Sequence, residues 1–210
     1  MCIRDRNKII GRANKLMLNL CDKLTVGHLK VKGIKKKYND KIFYTGNPIR
    51  PDIYKYKKDY KTHHQDGFLN LLIFGGSQGA SFFSDIIPES INKLDNKKKS
   101  LLRVFHQVRK DEFERVKKYY HSMNVKSEVK TFFYNLPELL NNSHLLISRS
   151  GASTVAEVAA TKTPAIFIPF HHSIDDDQRL NTIELEKIGQ VIVKSQKKLD
   201  SNQLYKVIDE

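Results

Sequence analysis

Three runs in this sequence gather the residue types that hold a phosphorylated ligand. They are Gly75-Gly76-Ser77-Gln78-Gly79-Ala80, Arg149-Ser150-Gly151-Ala152-Ser153-Thr154 followed by Glu157, and Pro169 to Gln178 leading to Asn181. In the first, glycines let the backbone turn sharply and come close to a ligand, and a helix opening at Ala80 aims free N–H groups at an anion. Ser77 adds a hydroxyl donor and Gln78 an amide; alone, the run also fits an ordinary strand-to-helix turn. In the second, Ser153 and Thr154 can cap a helix or donate to a phosphate. Glu157 sits where a carboxylate can accept both hydroxyls of a ribose, although a lone acid there also serves as a favourable N-terminal charge. Two such runs in one chain point to a nucleotide diphosphate. In the third, the spacing of His171, His172, Asp175, Asp176 and Asp177 matches no zinc pattern, so no metal is expected. Gln178 and Asn181 stand a helical turn apart, and their amides can converge on sugar hydroxyls.

These runs need a scaffold, and the chain alternates between apolar β-branched stretches and longer segments of helical period. Strands are predicted at Phe68–Phe74, Leu101–His106, Lys126–Phe132, Leu145–Ser148, Ala165–Ile168 and Val191–Val193, with helices near Ala80–Leu94, Lys110–Ser122, Ser153–Ala160 and Gln178–Ile188. The alternation predicts a doubly wound parallel α/β sheet, whose ligands bind beyond the carboxyl ends of the strands. Residues 47–67, polar and punctuated by Pro48 and Pro51, read as a linker. Upstream, Asn7–Asp22 has helical spacing and Lys41–Thr45 reads as a strand, so 7–46 is expected to be the tail of a preceding domain and 68–210 the ligand-binding domain. Residues 1–6 match nothing that follows and read as foreign sequence. The chain reads as truncated at both ends, because Glu210 falls inside a helical pattern.

Composition narrows the classes. The 210 residues are 40% hydrophobic and 10% aromatic, enough for a packed core. Cys2 and Cys21 exclude a disulfide scaffold, and no apolar run approaches the ~18 residues of a membrane span. This fits a soluble intracellular chain. The net charge of +14 favours polyanions, and from Lys30 to Lys61 eleven basic residues face three acids. Charge alone does not choose between nucleic acid, an anionic membrane face and a phosphorylated ligand. A nucleic-acid-binding module is the weaker reading, because no RNA-reading aromatic signature accompanies the charge.

With these residues in hand, the chain resembles the MurG family of peptidoglycan N-acetylglucosaminyltransferases. The matching pieces run in family order: Asn7 with Gly11-Arg12-Ala13-Asn14; Thr45-Gly46-Asn47-Pro48-Ile49-Arg50; Gly75 to Ala80; His106-Gln107; Arg149 to Thr154 with Glu157; and Gln178 with Asn181. The resemblance implies a GT-B fold of two Rossmann-like domains, no cofactor, and inverting transfer of N-acetylglucosamine from UDP-N-acetylglucosamine to lipid I, forming lipid II. It implies that Phe133 reads uracil through its backbone, Arg50 lies beside the nucleotide and Ser77 at the diphosphate. Ala152, Ser153, Thr154 and Glu157 would surround ribose and sugar, Gln178 and Asn181 the N-acetylglucosamine, and Asn7 would reach the sugar from the first domain. It further implies a cytoplasmic enzyme peripheral to the inner face of the plasma membrane, drawn to anionic lipids, with no nucleic-acid partner. The family's N-terminal loop with its histidine, the proposed general base, has no counterpart here, so the chain is expected to bind donor but to be inactive alone. Asp177 stands where the family commonly has His or Gln. The same fold also serves glycolipid glycosyltransferases and the UDP-N-acetylglucosamine epimerase type, which remain alternative readings.

Overall fold

The computed structural model describes residues 1–55, 67–170 and 176–209, and for residues 76–80 the backbone alone. Its larger sheet is built from β4 (Leu69–Phe74), β5 (Leu102–Gln107), β6 (Lys126–Lys130), β7 (Leu145–Ser148), β8 (Ala165–Phe167) and β9 (Val191–Val193). All pairs are parallel, and the spatial order is β6-β5-β4-β7-β8-β9. Counted within the sheet this is 3-2-1-4-5-6, the doubly wound order of dinucleotide-binding folds. Each predicted strand is present, with ends moved by no more than a residue or two.

Side-chain alternation explains why the strands are apolar nearly throughout. Leu71 and Ile73 of β4 enter one core with Phe83, Val116 and Leu204, whereas Leu72 and Phe74 enter the other with Ile53, Leu139, Val155 and Phe167. The first face is covered by α3 (Gly76–Asn92), α5 (Phe113–Ser122) and α10 (Ser201–Asp209). The second is covered by α2 (Asp52–Lys55), α6 (Leu136–Asn142), α7 (Ala152–Thr161) and α9 (Ile183–Lys187). A short α4 (Asn96–Leu101) leads into β5 and α8 (Asp177–Asn181) precedes α9. The described part of the expected linker thus contributes α2, whose Ile53 is buried in the second core; residues 56–66 lie outside the described residues.

A smaller parallel sheet, β1 (Cys2–Asp5), β2 (Lys23–Val26) and β3 (Ile42–Tyr44), pairs in that order. Leu24 and Val26 pack with Ile10, Leu18 and Cys21. Residues 1–6, expected as foreign, supply β1, and the buried Asp5 carboxylate accepts from the backbone N–H of Asn7 (3.0 Å) and Gly11 (2.7 Å). The helix expected over Asn7–Asp22 is confined to α1 (Arg12–Met17). The cause is local: Ile9 and Ile10 are β-branched and bridge to Lys32 in extended conformation, and Gly11 forms the N-cap.

Two further boundaries differ from expectation. The helix expected to open at Ala80 opens at Gly76, with Gly75 as N-cap, a position glycine accepts nearly as well as a polar cap. The segment expected as one helix over Gln178–Ile188 breaks at Thr182, whose hydroxyl turns back onto the Arg179 carbonyl at 2.8 Å. At the other end of α7, exposed Lys162 is left-handed (φ 55°). Lys162→Gly is therefore expected to stabilise the chain by about 1 kcal/mol, read as a higher midpoint in urea; an unchanged or lower midpoint would count against the strain.

Candidate functional site

Strand order reverses between β4 and β7, and there the two glycine-containing runs meet. Phe74 pairs with Ser148 in register, so Gly75 and Arg149-Ser150-Gly151 leave the sheet side by side at its carboxyl edge. Helices diverge to opposite faces at such a point and leave a crevice. α7 starts at its rim. Gly151 is the N-cap in extended conformation and brings no side chain of its own to cap the helix, so the first-turn N–H groups of Ala152, Ser153 and Thr154 and the positive end of the helix face outward. Opposite lies the smaller sheet's segment. A cleft of about 380 Å³ is lined by Arg6, Asn7 and Asn14 on that side and by Gly151, Ser153 and Thr154 on the other.

Beneath the rim sits Arg149, 7% exposed. Its Nη1 donates to the carbonyls of Ile168 (2.9 Å) and Pro169 (3.3 Å), and its guanidinium lies 4.8 Å from the Phe83 ring and 5.5 Å from that of Phe170. Burial brings its pKa down to about 10, still high enough to keep the charge at neutral pH. This interior cation adds to the field of the α7 N-terminus. The motif named Arg149, but nothing in the sequence marked the aromatic enclosure.

Arg50 and Glu157 form a bidentate ion pair, with Nε donating to Oε1 at 2.7 Å and Nη2 to Oε2 at 2.8 Å. The Glu157 side chain is 7% exposed and that of Arg50 46%. The hydrogen bond to Glu157 raises the guanidinium pKa above its ordinary value. Gly46-Asn47-Pro48 explains how Arg50 arrives. Gly46 takes φ 71°, and Asn47 packs so tightly over Gly27 that a Cβ there would lie 2.0 Å from Asn47 Oδ1. Asn47 also donates to the Arg6 carbonyl at 3.1 Å, anchoring the run against the smaller sheet.

Asn7 and Asn181 come together. Asn181 Nδ2 donates to Asn7 Oδ1 (3.1 Å) and to the Ser150 carbonyl (3.3 Å), while its Oδ1 accepts from Lys8 N–H (3.0 Å). Lys8 also pairs with Glu184. Gln178 accepts from Phe170 N–H at 2.9 Å, holding the end of the third run. Phe133, after β6, is buried edge-on against Phe105 at 6.5 Å, flanked by exposed Phe132 and Tyr134. The side chains of Ser77 and Gln78, and residues His171 to Asp175, lie outside the described residues. Among the described residues no cluster of three or more His, Cys, Asp or Glu could hold a metal.

The profile of the glycosyltransferase family 28 C-terminal domain matches residues 70–210, which take in all of the larger sheet but Leu69. The chain belongs to glycosyltransferase family 28. Curated relatives of this family 28 chain include proteins from Chelativorans sp. (strain BNC1), 36% identical over 96% of this chain and 54% of the relative, and Bartonella tribocorum, 37% identical over 96% and 53%. Both carry the name UDP-N-acetylglucosamine--N-acetylmuramyl-(pentapeptide) pyrophosphoryl-undecaprenol N-acetylglucosamine transferase. The chain spans about half the length of these relatives. The crystal structure of Acinetobacter baumannii MurG superposes with TM-score 0.76 at 24% identity, covering 99% of this chain and 57% of that one. A UDP-N-acetylglucosamine 2-epimerase reaches 0.62 at 13% identity, over 93% of this chain and 50% of that one. The likeness to these structures establishes the fold, which is GT-B.

Proposed function

We propose that this chain is the donor-binding part of an enzyme that transfers N-acetylglucosamine, with inversion, from UDP-N-acetylglucosamine to the lipid-linked muramyl-pentapeptide diphosphate of peptidoglycan synthesis. The observation that carries this is the glycine-capped α7 N-terminus at the β4/β7 switch point, beside the Gly75 run and above the buried Arg149. Transfer requires a departing diphosphate to take up charge. Preorganised N–H groups and an interior cation stabilise that charge without reorganising as the bond breaks. Around this centre, Ser77, Gln78, Ala152, Ser153 and Thr154 would hold diphosphate and sugar, Glu157 the ribose, and the Phe133 backbone the uracil. Asn7, Gln178 and Asn181 would face N-acetylglucosamine, with the Asn7–Asn181 bond tying the smaller sheet to the donor domain.

The acceptor is lipid-borne, and the smaller sheet's surface suits a headgroup layer. Exposed Leu16 and Leu20 lie among Arg12, Lys15 and Lys23, a pattern that favours peripheral contact with anionic lipids on the cytoplasmic leaflet. Among the described residues no helix is long and apolar enough to cross a membrane. Nucleic acid is not part of this reading.

Calorimetric titration tests the donor assignment. UDP-N-acetylglucosamine is expected to bind saturably and more tightly than UDP-glucose, with no binding of ATP. A folded chain that binds none of them, or ATP as well as UDP-N-acetylglucosamine, would defeat the reading.

A further inference from the structure

The Arg50–Glu157 pair joins residues 107 positions apart, one just past the smaller sheet and the other on the second turn of α7. A carboxylate this buried requires a partner, and removing one member of a buried pair leaves the other uncompensated. The fork-to-fork geometry does more than neutralise. It uses one lone pair on each carboxylate oxygen and fixes the plane of the group. One acceptor position on each oxygen is left. Ser153 and Glu157 are four residues apart, on the same face of α7, so the carboxylate lies one turn below the helix start that rims the cleft.

We propose that Arg50 is a positioning residue. It sets the Glu157 carboxylate in the one orientation that offers its two remaining acceptor positions to the vicinal hydroxyls of a ribose. This rests on the donor reading above and refines it. Arg50 then acts through Glu157 rather than by touching phosphate, and the neutral pair keeps a bare negative charge away from the diphosphate. Lysine at this position keeps the charge but has no planar fork, so it fixes the carboxylate poorly.

The test compares UDP with 2′-deoxy-UDP on the full chain by calorimetry. The unaltered chain is expected to prefer UDP on the order of 10- to 100-fold, the range for a hydrogen bond to a charged group. Arg50→Met is expected to bring that ratio close to one, and Arg50→Lys to lower it while leaving more of the UDP affinity. Arg50→Met leaves the buried Glu157 carboxylate unpaired and is expected to lower stability, whereas Arg50→Lys keeps a compensating charge, so Arg50→Lys carries the test if Arg50→Met does not fold. A mainly structural arginine would weaken both ligands alike and leave the ratio unchanged. An arginine bound directly to phosphate would do the same, so a preserved ratio in both variants overturns the proposal. A ratio near one in the unaltered chain, with UDP bound, overturns it as well. Failure of that chain to bind UDP at all is a different result, and removes the donor reading itself.

Discussion

Glu157→Ala is expected to lower the affinity of the chain for UDP by on the order of 100-fold while leaving it folded. Two losses combine. The ribose loses charge-assisted acceptors, each bond worth about 1.5–3 kcal/mol, and Arg50 loses the group that holds it. The second loss is muted for stability, because the Arg50 side chain is 46% exposed and water can solvate the freed guanidinium. Affinity should therefore fall much further than the urea midpoint. Uridine should lose nearly as much as UDP, since the contact is to the sugar and not the phosphates. Unchanged UDP affinity in a folded Glu157→Ala chain would remove Glu157 from the ribose. A loss confined to UDP, with uridine untouched, would assign it to the diphosphate instead.

The parts of this molecule legible in its sequence are those specified by local pattern. β7 and β9 are legible to the residue because Leu145–Ser148 and Val191–Val193 are short apolar runs between turn signals, and parallel strands buried on both faces read that way. Strand β2, Lys23–Val26, alternates polar and apolar as a half-buried strand does, but its four residues are too few to stand out beside the helical spacing that runs up to Asp22. Helix α6 opens at Leu136-Pro137 and is seven residues long, too short for a periodic signal. The site divides in the same way. Residue types and turn chemistry singled out Gly151, Ser153, Glu157 and Asn181, all near the ends of strands in one sheet. What they touch is set by contacts between distant stretches: Asn7 meets Asn181 across 174 positions, and Arg50 meets Glu157 across 107. Periodicity carries no such information, so amides read as sugar-facing are found bonded to one another, with the sugar contacts left to proposal. The setting of Arg149 is illegible in the sequence for a related reason, since its enclosing rings come from α3 and from the run after β8.

The second large effect concerns acid. His106 on β5 is fully buried, its Nδ1 shares a 2.9 Å hydrogen bond with the Tyr120 hydroxyl, and its Nε2 is buried without a partner among the described residues. Desolvation pushes its pKa down to about 3, because a charged imidazole among Val104, Val116 and Val129 has nothing to solvate it. At neutral pH the ring is uncharged in the folded and unfolded chain alike and contributes no pH dependence. Below about 6.5 the unfolded chain takes up a proton that the folded chain refuses until about 3. Stability should therefore fall by about 1.4 kcal/mol per pH unit through that window, or about 2 kcal/mol by pH 5 from this group alone. Carboxylates that protonate on acidification act in the same direction, so the informative quantity is a difference between two chains. His106→Gln keeps a polar partner for Tyr120 and cannot titrate. Urea unfolding at pH 7, 6 and 5 is expected to find the variant less stable at pH 7 and the gap closing by about 2 kcal/mol at pH 5. Parallel profiles would mean that the histidine carries its proton inside the fold, and that the core around Tyr120 is less dry than its burial indicates.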